Sequence, residues 1–211
     1  FVPANAAFSL DRLWNRVHSK SEIPYWCILI FLIQIGIVYT FAGIAKLNYD
    51  LIFIAMPIKI WLGQQTDYPL IGPLFSQNWL HFGMSWFGAF YDLTIIYWLM
   101  FKVTRPFAYA AVLFFHILTA TLFDIGLFPP LMIISCTLFF SPETHERLLE
   151  KIGFRKKESQ KKIKNSIPIL LFLSVFLLIQ LFLPLRHHFF TNRNIMWTQE
   201  FYRYGWRVML V

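Results

Sequence analysis

Between Tyr25 and Ala45 the chain runs for 21 residues without a charged side chain. In lipid such a stretch satisfies its backbone hydrogen bonds only as a helix or in a closed barrel, and about 20 apolar residues in helix cross a hydrocarbon core. Four further segments are comparably apolar: Trp79 to Phe101, Phe107 to Phe123, Ile125 to Phe140, and Ile167 to Leu185. The fourth is short and carries Pro129 and Pro130 near its start, where they interrupt a helix if they fall inside it. The expected fold class is all-α: a multi-span transmembrane helical bundle of about five spans, with short interfacial or re-entrant helices between them. Composition agrees, since 57% hydrophobic and 14% charged residues leave a water-soluble domain more apolar surface than it can bury.

Lysine and arginine placement orients the spans, because basic loops stay on the cytoplasmic side during insertion. Arg12, Arg16 and Lys20 precede the first span, and Lys102 and Arg105 separate the second from the third. Arg147, Lys151, Arg155, Lys156, Lys157, Lys161, Lys162 and Lys164 follow the fourth. The opposite loop, Lys46 to Gln77, holds only Lys46 and Lys59. These loops are expected to be cytoplasmic, with Lys46 and the C-terminal end on the outer or lumenal side. The net charge of +8 is then a topology signal rather than a nucleic-acid footprint.

The remaining segments fit the same frame. Phe8 to His18 places Phe8, Leu13, Trp14 and Val17 on a stripe that suits an interfacial helix. Leu51 to Leu62 is apolar but short and broken by Pro57, so it is expected to lie re-entrant or across the outer surface, roofing a pocket. Phe154 to Lys164 reads as a solvated linker. Trp61, Tyr68, Trp79, Trp197, Tyr202, Tyr204 and Trp206 cluster near predicted outer ends, where aromatic rings anchor at the interface. Cys27 and Cys136 fall inside spans without metal-ligand spacing and read as small core residues. No metal site is expected; His187 and His188, being adjacent, are expected to point different ways. The chain opens on Phe1 without a signal pattern and reads as a fragment, with further protein expected on both sides.

Ionisable groups inside spans are expensive and mark candidate sites. Gly36, Tyr39, Gly43 and Lys46 follow one helical face, and glycines there let a neighbouring helix approach. Lys46 therefore either faces a helix contact or snorkels to the outer headgroups. His81, Ser85, Gly88 and Asp92 share a face of the second span, with Asp92 deep enough to need a partner or a proton. His81 and Asp92 read as structural hydrogen-bonding groups or as a proton relay. His116 lies three residues before Thr119 and is either a satisfied core histidine or a lining residue of the same interior. Metalloprotease, nucleotide-binding and hydrolase motifs are missing from the sequence.

Four strings, in order, carry a resemblance. IVYTFAGIAKL (Ile37 to Leu47) is similar to the lysine-bearing segment of the vitamin K-dependent gamma-glutamyl carboxylases and their bacterial relatives, the HTTM family. YDL with Asp92 follows, then FHILTATLFDIGLF (Phe115 to Phe128) with FFSPE (Phe139 to Glu143), and last QLFLPLRHHF (Gln180 to Phe189) leading into WTQEFYRYGW (Trp197 to Trp206). The resemblance implies a membrane enzyme that oxidises reduced vitamin K, or a menaquinol-type hydroquinone, with O2 to an epoxide. The strong base so formed removes a gamma proton from glutamate in a protein or peptide, and CO2 adds. The family's initiating base is a neutral lysine, matched here by Lys46. An amine packed among Gly43, Phe41 and apolar helices loses hydration when charged, which favours the free base. The bilayer itself supplies the lipid-soluble quinol.

The sequence also departs from the family. Ala45 stands where family carboxylases often carry the first lysine of Lys-Lys-Leu, and Asn-His elements of earlier spans would lie upstream of Phe1. The family's Trp-Asp-Met-Met string becomes Trp206, Arg207, Val208 and Met209. Trp206 and Met209, with His116, are expected to flank the quinol, whereas Arg207 alters the pocket; the family's lumenal domain is expected to follow Val211. Two alternatives remain: a quinol epoxidase without carboxylation, and a non-catalytic scaffold or transporter whose path Lys46, His81, Asp92 and His116 line.

Overall fold

A computed structural model describes residues 24–151, 167–190 and 204–206. The expected interfacial helix at 8–18, the linker at 154–164, and Trp197, Tyr202, Arg207 and Met209 lie outside the described residues. All regular structure among the described residues is helical.

Helix α1 (Tyr25–Lys46) follows Pro24 and realises the first expected span; its 22 residues extend about 33 Å at about 1.5 Å per residue. The segment broken by Pro57 forms two short helices, α2 (Tyr49–Ile54) and α3 (Ile58–Gly63). The Asn48 side chain caps α2 by accepting from Leu51 N at 2.9 Å. Ala55, left-handed at φ 58°, ends α2. Leu51, Ile58 and Leu62 are buried, and both helices pack on α4 (Asn78–Met100).

Helix α5 (Arg105–Leu122) begins with Pro106 in its first turn, where a missing N–H costs nothing. After a turn through Gly126 at φ +63°, α6 (Phe128–Cys136) starts with Pro129, again in the first turn, and continues as one 3₁₀ turn over Thr137–Phe139. Helix α7 (Pro142–Lys151) is polar, and α8 (Ile167–Leu185) is almost wholly apolar, with only Pro184 buried. A final turn, α9, spans His187–Phe190.

Three helices among the described residues are long and apolar enough to cross a membrane: α1, α5 and α8. The two other expected spans differ for separate reasons. Helix α4 has 23 residues and sufficient length, but Asn78, His81, Gly83, Ser85 and Asp92 dilute its apolar character. Helix α6 has 9 residues, about 14 Å at about 1.5 Å each, because the chain uses 123–127 to turn and the prolines to start the helix.

The core forms where α1 and α4 pack most extensively, closed by α5 and α6. Ile35, Val38, Tyr39, Ile95, Leu99, Val112 and Cys136 are among its buried residues. Gly43 is what brings the first two helices together: a Cβ there would stand 2.7 Å from Leu93 Cγ and 2.9 Å from Leu93 N. The sequence expectation that this glycine face meets a neighbouring helix is realised in that approach.

Candidate active site

Lys46 ends α1 on the face set by Gly43, so its side chain enters the contact with α4 rather than rising to the interface. It is 7% exposed, and its Nζ meets Asp92 Oδ2 in a buried ion pair, with Asp92 4% exposed. The partner that Asp92 requires is therefore Lys46, an association 46 positions apart that no local pattern indicates. A buried charge pair of this kind is costly to form and more costly to break from one side.

Both residues line a small cavity of about 20 Å³ with Val38, Tyr39, Ala42 and Thr119. Phe115, His116, Ile125, Phe128 and Met132 complete the lining. That volume admits about one water-sized molecule. His116 is 2% exposed and sits among aromatic rings, with Tyr39, Tyr91, Phe115 and Phe128 centroids 5.3–6.3 Å away. Its Nε2 lies 2.9 Å from the Tyr39 hydroxyl. The same hydroxyl lies 3.3 Å from Tyr91 Oη and 3.6 Å from Cys136 Sγ. Thr119 turns its hydroxyl back to the His116 carbonyl at 3.1 Å.

Among the expected site residues, the fold thus brings together Lys46, Asp92 and His116. His81 lies elsewhere: 11 residues before Asp92, about 16 Å along α4 at about 1.5 Å per residue, it hydrogen-bonds the Phe75 carbonyl at 2.7 Å. It thereby ties α4 to the 3₁₀ turn Gly72–Ser76. Trp206 packs on the core cluster that contains Tyr39 and Met132, with its indole Nε1 buried and without a hydrogen-bond partner among the described residues. His187 and His188 do not diverge as expected: within the short α9 their ring centroids come to 3.8 Å, and His187 Nδ1 lies 2.8 Å from the Pro184 carbonyl. Among the described residues no cluster of His, Cys, Asp and Glu suits a metal ion.

Tyr39 carried one sequence signal, its place on the Lys46 face. Nothing local paired Tyr91, which heads the YDL string, or Cys136 with Tyr39, because each reaches it only through helix packing.

A family model described as the HTTM domain matches residues 1–143, more than half of the chain. A second, the vitamin K-dependent gamma-carboxylase lumenal domain, matches residues 165–211, a stretch that includes all of α8. No solved structure matches the chain.

Proposed function

We propose, since this chain belongs to the HTTM domain family, that it carries the quinol-oxidising membrane centre of a vitamin K-dependent gamma-carboxylase-like enzyme. The observation that carries the reading is Lys46, an amine buried at a helix contact, set against Asp92 on the wall of a cavity that His116 also lines.

Lys46 is the base. The Lys46–Asp92 pair is neutral overall whichever partner holds the shared proton, so moving that proton to Asp92 frees the amine without adding charge to the bundle. The free amine then removes a hydroxyl proton from the hydroquinone, leaving the electron-rich quinol anion that reacts with O2. The apolar walls, Val38, Phe115, Phe128 and Met132, exclude water from the anion and strengthen its interaction with the new ammonium. The cavity is too small for a quinol ring, since pockets for molecules of that size run to about 300 Å³ or more. The ring therefore enters as neighbouring side chains part, with one oxygen directed at Lys46. Trp206 flanks the ring. His81 holds the outer loop in place, and O2 and CO2 are drawn from the surrounding lipid and solution.

The wider arrangement belongs to the same proposal. Helix α4 and the short α6 join α1, α5 and α8 as membrane-embedded elements, giving about five spans, with the basic loops cytoplasmic and Lys46 on the outer or lumenal side. Residues 165–211 begin the part that handles the glutamate-bearing protein. A transport path through Lys46, His81, Asp92 and His116 has less support, because His81 is tied to Phe75 away from the cavity.

The test is Lys46→Ala in the full-length protein, assayed for conversion of a vitamin K-type or menaquinol-type hydroquinone to its epoxide. Loss of a positioned base lowers the rate by about 10²- to 10⁴-fold. Unchanged epoxidation removes Lys46 from the chemistry, and CO2 fixation into glutamyl peptides separates a carboxylase from an epoxidase alone.

A further inference from the structure

The mechanism above gives no role to the buried hydroxyl of Tyr39. Inside the bundle the Tyr39 hydroxyl has three neighbours: His116 Nε2 at 2.9 Å, Tyr91 Oη at 3.3 Å and Cys136 Sγ at 3.6 Å. A phenol has one proton to give and two lone pairs to receive, so it donates in only one of these contacts.

Proton accounting selects which. Tyr91 is buried, and Tyr39 is the only hydrogen-bond partner its hydroxyl has among the described residues. A buried phenol proton left without an acceptor is costly, so the Tyr91 O–H donates to the Tyr39 oxygen. Tyr39 must then donate to His116 or to Cys136. Thiol sulfur is a weak acceptor and the longer contact, whereas an unprotonated imidazole nitrogen is a strong acceptor and the shorter one. The chain of donors therefore runs from Tyr91 to Tyr39 to His116 Nε2, and the Cys136 S–H fills the second lone pair on the Tyr39 oxygen. Each bond polarises the next, which reinforces one direction.

With Nε2 accepting, the single proton of a neutral His116 ring is on Nδ1. We infer that Tyr39 is a positioning residue: it fixes His116 in the Nδ1–H form, making the ring a hydrogen-bond donor within the cavity that Lys46 and Asp92 line. An Nδ1–H donor there stabilises negative charge growing on a quinol oxygen while Lys46 takes the proton, and the opposite tautomer would present a lone pair to that charge. The tautomer follows from the hydrogen bonds alone; its catalytic consequence rests on the quinol reading.

The test uses the full-length protein with ¹⁵N-labelled histidine in nanodiscs, with the His116 signals identified by their loss in His116→Gln. The expected spectrum has Nδ1 protonated and Nε2 as a hydrogen-bond acceptor. Tyr39→Phe removes the preference, while Tyr91→Phe, which keeps the Tyr39–His116 contact, retains it. In quinol-dependent O2 uptake Tyr39→Phe lowers kcat by about 5- to 100-fold, the range a buried hydrogen bond spans, and leaves the quinol KM little changed. A wild-type spectrum with the proton on Nε2 overturns the assignment, even if Tyr39→Phe does not fold. A tautomer that is lost while kcat is retained overturns the positioning role. If the expected spectrum accompanies a wild-type protein that oxidises no quinol, the proposed function falls and the tautomer assignment stands.

Discussion

Gly43 and Gly36 lie on the same face of α1, two turns apart, yet the same substitution at each should have opposite effects. An added methyl at Gly36 would meet Ile96 Cγ1 at 3.7 Å, an ordinary contact with the end of a side chain. There, Gly→Ala gains helix propensity, about 0.8–1.0 kcal/mol, at little steric cost. At Gly43 the methyl would meet Leu93 Cγ at 2.7 Å, Cδ2 at 2.8 Å and, decisively, the Leu93 backbone nitrogen at 2.9 Å. Leucine can change rotamer; a backbone nitrogen inside α4 moves only if the helix moves. Overpacking of this kind costs about 1–3 kcal/mol, which exceeds the propensity gain over nearly all of that range. The two alanine variants should therefore differ by about 1–3 kcal/mol although the covalent change is identical. Asp92 precedes Leu93, so the displaced segment carries the partner of Lys46 with it. Unfolding by SDS titration in mixed micelles measures the stability difference, and quinol-dependent O2 uptake measures the functional one. Gly43→Ala should fall below wild type in both, with Gly36→Ala at or above it. Equal stability of the two variants would refute the argument that backbone approach at Gly43 sets the α1–α4 distance.

Two further outcomes follow from the pair and from the proposed topology. Asp92→Asn leaves a buried ammonium without its counter-charge and should destabilise the protein by about 3–5 kcal/mol, whereas the double change Lys46→Met with Asp92→Leu should regain most of that stability while remaining inactive; an Asp92→Asn protein as stable as wild type would contradict the buried pair. Cys27 and Cys136 are buried, so single cysteines can be introduced without removing them: Leu70→Cys, at a position 99% exposed, should react with a membrane-impermeant maleimide from the outer side, and Lys102→Cys from the cytoplasmic side. Labelling of both from one side would break the proposed threading.

The apolar run from Tyr25 to Ala45, the spacing of Gly36, Tyr39, Gly43 and Lys46, and the spacing of His81, Ser85 and Asp92 were all legible in the sequence. Each is a regularity of one helix, and helix geometry alone says which residues share a face. The fourth expected span begins later than its apolar run: Pro129 interrupts a helix read from Ile125 but initiates one that begins at Phe128. The number of apolar helices of sufficient length differed for a compositional reason, since the buried polar row of α4, His81, Ser85 and Asp92, is also what lowers its hydropathy.

What the sequence determined by itself is the material: membrane-length helices, their small-residue faces, and the few ionisable groups that lipid would penalise. Only the tertiary structure decided which of those groups meet. Lys46 could have gone to the headgroups and Asp92 to a hydroxyl; the close approach at Gly43 joins them instead. Tyr39 could have been a packing residue, but α4, α5 and α6 converge on its hydroxyl with Tyr91, His116 and Cys136. Pairings 46 to 97 positions apart depend on how helices cross, and crossing is set by the fit of whole faces rather than by any local run of residues.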